Sequence, residues 1–382
     1  MAADARSFDV AVVGAGPAGC AAATALATAG RSVVLLEKST LPRYKTCGGG
    51  ILARAMRLLP PAARAAVERE FNSVALNFLG TPRNYVATRP EPVVSMTMRA
   101  QLDFLLAREA QNAGATLIEN CPLKRFDSEA NKVRLIGERG EIRAQFVVAA
   151  DGVHSAVARA AGWPDLPALA PALEHEIYPV PEDYARFADQ PRFDFNAIDA
   201  GYAWVFPKRT HLSVGILSTH RVCTNLTASL AGYLRGLGLT RLQKTERHGY
   251  VIPLAPRRGP LAQGRVLLTG DAAGLVDPVT AEGISHALLS GRLAAEAILQ
   301  GEMEPVKVAT HYQTLLEENI LGELRAGRFL ARILYRHPRL RNAAFHLNGQ
   351  KLCEFVTDVA VGRRRYWDAL RRPANYLKLF GG

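Results

Sequence analysis

Residues 8–13 (FDVAVV) form a short β-branched apolar run, the pattern of a strand buried on both faces of a parallel sheet. Six small residues follow (14–19, GAGPAG), then an alanine-rich stretch to Ala29 that reads as a helix closed by Gly30. Residues 32–36 (SVVLL) give a second strand, and Glu37 ends it. Strand, glycine turn, helix, strand and acid together make one βαβ unit. Further on, 99–113 reads as a helix, 116–119 as a strand, and 133–135 with 142–150 as a hairpin leading into Asp151-Gly152. Strand-like runs at 193–198, 201–207 and 211–217 are separated by turns, as in an antiparallel sheet inserted between returning pieces of the first domain. Residues 264–269 (GRVLLT) are another buried strand, running into Gly270-Asp271 and a helix from about 280 to 300. From 306 onward the pattern is helical, with breaks at His337-Pro338 and Arg372-Pro373.

These elements predict an α/β protein with a Rossmann-type nucleotide-binding domain, an interleaved mixed or antiparallel-sheet substrate domain, and a helical C-terminal region. The expected boundaries are 1–75, 99–163 and 256–303 for the nucleotide domain, 76–98 and 164–255 for the substrate domain, and 304–382 for the helices. A length of 382 residues exceeds what one core usually fills, which agrees with two lobes.

Composition changes this picture little. Hydrophobic residues at 48% and charged residues at 21% are ordinary for a globular enzyme. No apolar run reaches the ~18–20 residues of a membrane span, and the first residues lack a signal-peptide core, so a cytoplasmic location is expected. The five cysteines (Cys20, Cys47, Cys121, Cys223, Cys353) are scattered without metal-ligand spacing, so neither a disulfide framework nor a metal is expected. The histidines are dispersed and no nucleophile elbow is present, which removes the hydrolases. Charge is more informative. Of the net +12, most lies in residues 325–382, where thirteen Lys and Arg face three acids. Such a segment suits anionic lipid on the inner membrane face, a phosphorylated substrate or an acidic electron-transfer protein, or it is a solvated helix face. No nucleic-acid motif accompanies it.

The candidate chemistry begins at the glycine turn. Gly14 permits the turn, Gly16 lets the backbone approach a pyrophosphate, and Gly19 lets the helix pack closely on the strand. The pyrophosphate then meets the free N–H groups and dipole of the helix N-terminus. Glu37, eighteen residues after Gly19, is placed to bind ribose hydroxyls, and its charge disfavours a 2′-phosphate there. Residues 267–274 (LLTGDAAG) put Asp271 at a strand end before a helix, and this resembles the large class of flavin enzymes of the para-hydroxybenzoate-hydroxylase type. The resemblance implies FAD, with Asp271 near its ribityl and pyrophosphate groups, Asp151-Gly152 as the intermediate motif, and Arg99 as a flavin-contacting arginine.

Three further segments narrow the resemblance to the geranylgeranyl reductase family. They are the loop 42–50 (PRYKTCGGG), the aromatic run 201–207 (GYAWVFP), and 271–291 with Pro278 and Glu282; residues 355–370, with Gly362 and Tyr366, resemble the tail of bacterial members. This resemblance implies FAD-dependent saturation of C=C bonds in a polyprenyl (geranylgeranyl-type) chain on a lipid, quinone or pigment, by hydride transfer from reduced flavin. It implies cofactor binding by Gly14, Gly16, Pro17, Ala18, Gly19, Glu37, Lys38, Cys47, Gly48, Gly49, Arg99, Asp151, Gly152, Gly270, Asp271, Ala281, Gly283 and Ile284. It implies substrate binding by Tyr202, Trp204, Phe206 and Pro278, and catalytic roles for Cys47 and Tyr202. Cys47 would lie near the flavin ring, where a thiol, mostly protonated at neutral pH, can donate a proton; alternatively it is a small packing residue. Tyr202, Trp204 and Phe206 alternate along a strand and so share one face, either a substrate wall or a sheet core. The electron donor is NAD(P)H or a ferredoxin. A flavin monooxygenase or halogenase of the same fold, acting on an aromatic or polyketide substrate, is the alternative, and FAD held without turnover a third reading. One departure stands out. The family's GEG is Ala281-Glu282-Gly283 here, and a turn that needs positive φ at its first position must then differ.

Overall fold

The computed structural model describes residues 6–129, 131–219 and 225–370. Cys223 and the break expected at Arg372-Pro373 lie outside these residues.

The N-terminal strand Arg6–Val13 is the hub of an eight-stranded sheet. It pairs in parallel with Val33–Leu36 on one side and with Gly140–Ala149 on the other. Thr116–Ile118 and Val266–Leu268 extend the parallel core at its two ends. Val10 to Val12, Val33 to Leu35 and Phe146 to Ala149 are all essentially inaccessible, as their unbroken apolar runs predict for strands covered on both faces. The helix Pro17–Thr28 covers one face, and the helices Arg99–Asn112 and Ile284–Gln300 pack against it.

A second, seven-stranded sheet runs in the spatial order Leu242–Pro253, Leu169–Pro179, Leu212–Ser218, Gly201–Pro207, Arg192–Phe195, Ser73–Phe78, Asn84–Thr88. All its pairings are antiparallel except that of Arg192–Phe195 with Ser73–Phe78. The boundary expected between residues 75 and 76 therefore falls inside a strand. A small three-stranded sheet (Gly50–Leu52, Val94–Thr97, Val67–Phe71) leads from the first domain to the second. The helices Gly322–Arg336 and Pro338–Ala360 close the far side, with Tyr335, Phe345 and Cys353 buried against Leu76, Tyr202 and Trp204.

Several expected elements are shorter in the structure, and for two of them the cause is visible. The strand expected over 193–198 ends at Phe195, because Asn196 and Ala200 adopt positive φ (64° and 51°) and turn the chain. The helix expected from about 280 starts at Ile284. Ahead of it the Asp277 carboxylate accepts from the backbone N–H groups of Val279 and Thr280, an Asx-type turn that competes with helix.

Candidate active site

One cavity of about 720 Å³ lies between the two sheets. Its first end is the glycine turn. Gly14 has φ +105°, and a Cβ there would collide with the Ala150 carbonyl. The helix that follows opens with Gly16 as N-cap and Pro17 at its first turn, and no side chain among the described residues caps it. Its first N–H groups thus remain available to an anion. Glu37 is 3% exposed. One of its oxygens accepts from Ala15 N at 3.1 Å and the other from Ser39 N at 3.1 Å, so the acid is tied to the turn it follows.

Two arginines share a single buried acid beside the turn. Asp103, fully buried, accepts from Arg99 at 2.8 and 2.9 Å and from Arg43 at 2.9 Å, and Arg43 also reaches Glu37 at 3.2 Å. The i,i+4 spacing of Arg99 and Asp103 holds the guanidinium in the cavity wall, 4.0 Å from where a Cβ on Gly16 would be. Beside the glycine turn, Asp151 accepts from Val157 N, in the first turn of the short helix Ala156–Ala160, at 3.2 Å. Its second oxygen is buried and meets no donor among the described residues, and burial pushes the carboxyl above its ordinary range. Gly270 (φ +51°) and Asp271 complete this end. A glycine cradle, an open helix N-terminus, paired arginines and an orphaned buried carboxyl oxygen fit FAD, with sugar hydroxyls and pyrophosphate as the missing partners.

The second end is formed by the Cys47 loop and the aromatic strand. Gly49 (φ +66°) admits no side chain, since a Cβ would strike the Thr97 carbonyl. Cys47 Sγ accepts from Gly49 N at 3.4 Å and stands half-exposed in the cavity wall. Tyr202, Trp204 and Phe206 project to one face, as their alternation predicts, and all three line the cavity. Trp204 and Phe206 press on Gly48, where a Cβ would lie 3.0 Å from both rings. Gly215, the cross-strand partner of Trp204, leaves the space that the indole fills. The Tyr202 hydroxyl donates to the Thr280 carbonyl at 2.6 Å, and burial together with the charge of Asp277 pushes the phenol up. Its proton is thereby committed to holding the 277–283 loop.

Most residues singled out from the sequence meet in this one cavity: Lys38, Gly152, Ala281, Gly283 and Ile284 line it with those already named. Two do not. Gly19 lies behind the turn, packed on the Gly14 carbonyl and Ala150, so it serves helix–strand contact instead of ligand contact. Pro278 faces away, against Gly327 and a separate groove on the helix Gly322–Arg336. The Ala281 turn also departs from expectation. Alanine keeps positive φ (56°), so the turn is retained and the strain is accepted.

Several site residues escaped the motifs. Lys208, directly after the aromatic run, is fully buried and donates to the carbonyls of Gly48 (2.6 Å) and Thr97 (2.9 Å). Glu174 and Glu176 occupy inward positions of Leu169–Pro179 that Ala170 and Ala172 lead into. The period-two alternation of that strand was the available signal. Lys45, inside the loop 42–50 but given no role there, lies over the Tyr250 ring, its ammonium 3.3 Å from the centroid. Among the described residues no cluster of His, Cys, Asp and Glu could hold a metal, and no helix is long and apolar enough to cross a membrane.

Residues 7–190 match the FAD binding domain family. The chain is 32% identical to digeranylgeranylglycerophospholipid reductase 1 of Methanopyrus kandleri, over 86% of this chain and 90% of that one. It is 30% identical to a menaquinone reductase of Mycobacterium tuberculosis, over 76% of each. Among solved structures, a geranylgeranyl bacteriochlorophyll reductase-like protein of Thermoplasma acidophilum superposes with a TM-score of 0.78 over 88% of this chain and 90% of that one, at 24% identity.

Proposed function

The chain belongs to the geranylgeranyl reductase family of FAD-dependent oxidoreductases, which act on C=C bonds, and from that premise we propose that it saturates isolated double bonds of a polyprenyl chain carried on a lipid or quinone. The observation that carries this reading is the aromatic face of Tyr202, Trp204 and Phe206 against the Cys47 loop, which makes the end of the cavity away from the glycine turn largely apolar. Reduced FAD supplies hydride. Everything else falls to the chain. An isolated alkene has no carbonyl to polarise, so catalysis rests on holding it in place, excluding water and bringing a proton to the second carbon. The aromatic face and Leu76, Phe193, Phe195 and Phe345 line a largely apolar wall suited to a branched hydrocarbon. Cys47, in the cavity wall beside the glycines of its loop, would meet the alkene or the flavin ring.

The test is anaerobic. Purified holoenzyme is reduced with dithionite, geranylgeranyl diphosphate or a menaquinone is added, and flavin reoxidation is followed with mass spectrometry of the product. Reoxidation with a gain of two mass units per double bond is the expected result. Reoxidation only after air is admitted, with an oxygenated or halogenated aromatic product, would replace this reading by the monooxygenase one.

The basic C-terminal region belongs to the same proposal. Its helices rest on anionic lipid while the prenyl chain enters the cavity.

A further inference from the structure

Beside the Cys47 loop lies buried charge that FAD binding does not account for. Glu174 and Glu176 are each 1% exposed, Lys208 is fully buried and His211 is 4% exposed. Placing four ionisable groups in the interior is costly unless they are partnered, and such clusters gather at functional sites.

Their partners are unevenly distributed. Lys208 spends its ammonium on the carbonyls of Gly48 and Thr97. Glu176 accepts from the Tyr44 hydroxyl at 3.4 Å through one oxygen, and its other oxygen stands 3.1 Å from His211 Nε2, within ion-pair distance but without hydrogen-bond geometry. Glu174 accepts from the Ser213 hydroxyl at 2.8 Å through one oxygen. Its other oxygen is buried, meets no donor among the described residues, and belongs to a side chain in the cavity wall. Other groups face the pair from neighbouring elements: Cys47 from the loop, His248 and Glu246 from the edge strand Leu242–Pro253, and Tyr250 beyond them. His175, on the same strand, points to the opposite face. Burial first, and then the charge of Glu176, push Glu174 up to about 8, against the opposing pull of Ser213 and Lys208. Glu176 is lowered even though burial acts the other way, because His211 and Lys208 outweigh it. The two carboxyls therefore share one proton, and it resides on Glu174.

We infer that Glu174 is the proton donor in the prenyl reduction proposed above, with Glu176 and His211 positioned to return a proton to it. The inference rests on that reading and gives the second half of its chemistry. One new C–H bond takes the hydride supplied by reduced flavin. The other takes the proton released as the Glu174 O–H bond breaks. The alkene gains two electrons and the flavin loses them; Glu174, left as carboxylate, regains a proton through Glu176. Tyr202 is unsuited to this task, since its hydroxyl is already donated to Thr280.

Glu174→Gln keeps the shape and removes the acid. In the holoenzyme it should lower kcat by about 10²–10⁴-fold, the usual worth of a general acid. KM and FAD affinity should stay near wild type, and the fall in kcat above about pH 8 should be lost. A second readout needs no turnover. Glu174 keeps its proton to higher pH when folded than when unfolded, so its contribution to stability is complete below the unfolded value. It is lost as pH rises through about 8. The wild-type melting temperature should fall across that window relative to Glu174→Gln. Wild-type kcat and an unchanged alkaline limb in the variant would overturn the inference while leaving prenyl reduction intact. Absence of prenyl reduction in the wild type would remove both.

Discussion

Ala281 is an L-residue in the left-handed region, at φ +56°, in the turn that precedes the helix Ile284–Gln300. The conformation costs about 1–2 kcal/mol, and glycine would recover it less about 0.5–1 kcal/mol of extra unfolded-chain entropy. Ala281→Gly should therefore stabilise the protein by about 0.5–1 kcal/mol in urea denaturation. A destabilised variant would mean that the methyl group, which lines the cavity, contributes packing worth more than the strain. At this scale the motifs were legible, because Gly14, Gly49 and Gly270 are fixed by backbone geometry that only certain residues adopt. Lys208 and Glu174 were not. A lysine after an aromatic run and an acid in a strand carry no local signature; their meaning comes from the burial that three separate strands impose.

The loop 277–283 is the element on which both ends of the cavity depend. Arg54 donates to Asp277 at 3.0 Å and to Glu282 at 2.9 Å, and Tyr366 from the C-terminal segment donates to both Asp277 oxygens at 3.1 Å. Tyr202 and Tyr335 hold the carbonyls of Thr280 and Val279. Burial alone would raise Asp277, yet Arg54 and His286 keep it below the usual carboxylate range. Tyr366→Phe removes a hydrogen bond to a charged group and should cost about 1.5–3 kcal/mol at neutral pH. Because the folded carboxyl is the stronger acid, its stabilisation is complete above the unfolded value of about 4 and is lost as pH falls through the folded one. The gap between wild type and Tyr366→Phe, followed by urea denaturation from pH 7 down to 3, should narrow toward acid; a constant gap would mean that Tyr366 acts by packing alone. The apolar run around this loop predicted helix, and it failed because an aspartate can satisfy the backbone locally. The sheet elements were legible where apolar runs were unbroken. The strands Leu169–Pro179 and Leu242–Pro253 were harder to read, since one carries acids on its inner face and the other is only partly covered.

At the scale of the whole molecule, the order of motifs along the chain was sufficient for the two-lobed architecture, but net charge did not reveal where the basic surface lies. Residues 363–365 are the densest basic run, yet Arg363 pairs with Glu91 and Arg364 with Asp358. A second concentration of basic residues lies on the helix Gly322–Arg336. There Arg328, Arg332 and Arg336 have no hydrogen-bond or ion-pair partner among the described residues, and burial together with Arg332 and Arg325 lowers Arg328. Phe329 on this helix, and Leu340 and Leu347 on the next helix Pro338–Ala360, are exposed. Unpaired cations in a helical region that also exposes apolar groups suit an anionic bilayer surface, where each arginine contributes about 1 kcal/mol. Replacing all three arginines by glutamine should weaken sedimentation with phosphatidylglycerol vesicles by roughly a hundredfold, at about 1.4 kcal/mol per tenfold. Neutral phosphatidylcholine vesicles should bind wild type and variant equally weakly. If the substitutions leave binding to anionic vesicles unchanged, the helix does not face the membrane, and the prenyl chain must reach the cavity by another route.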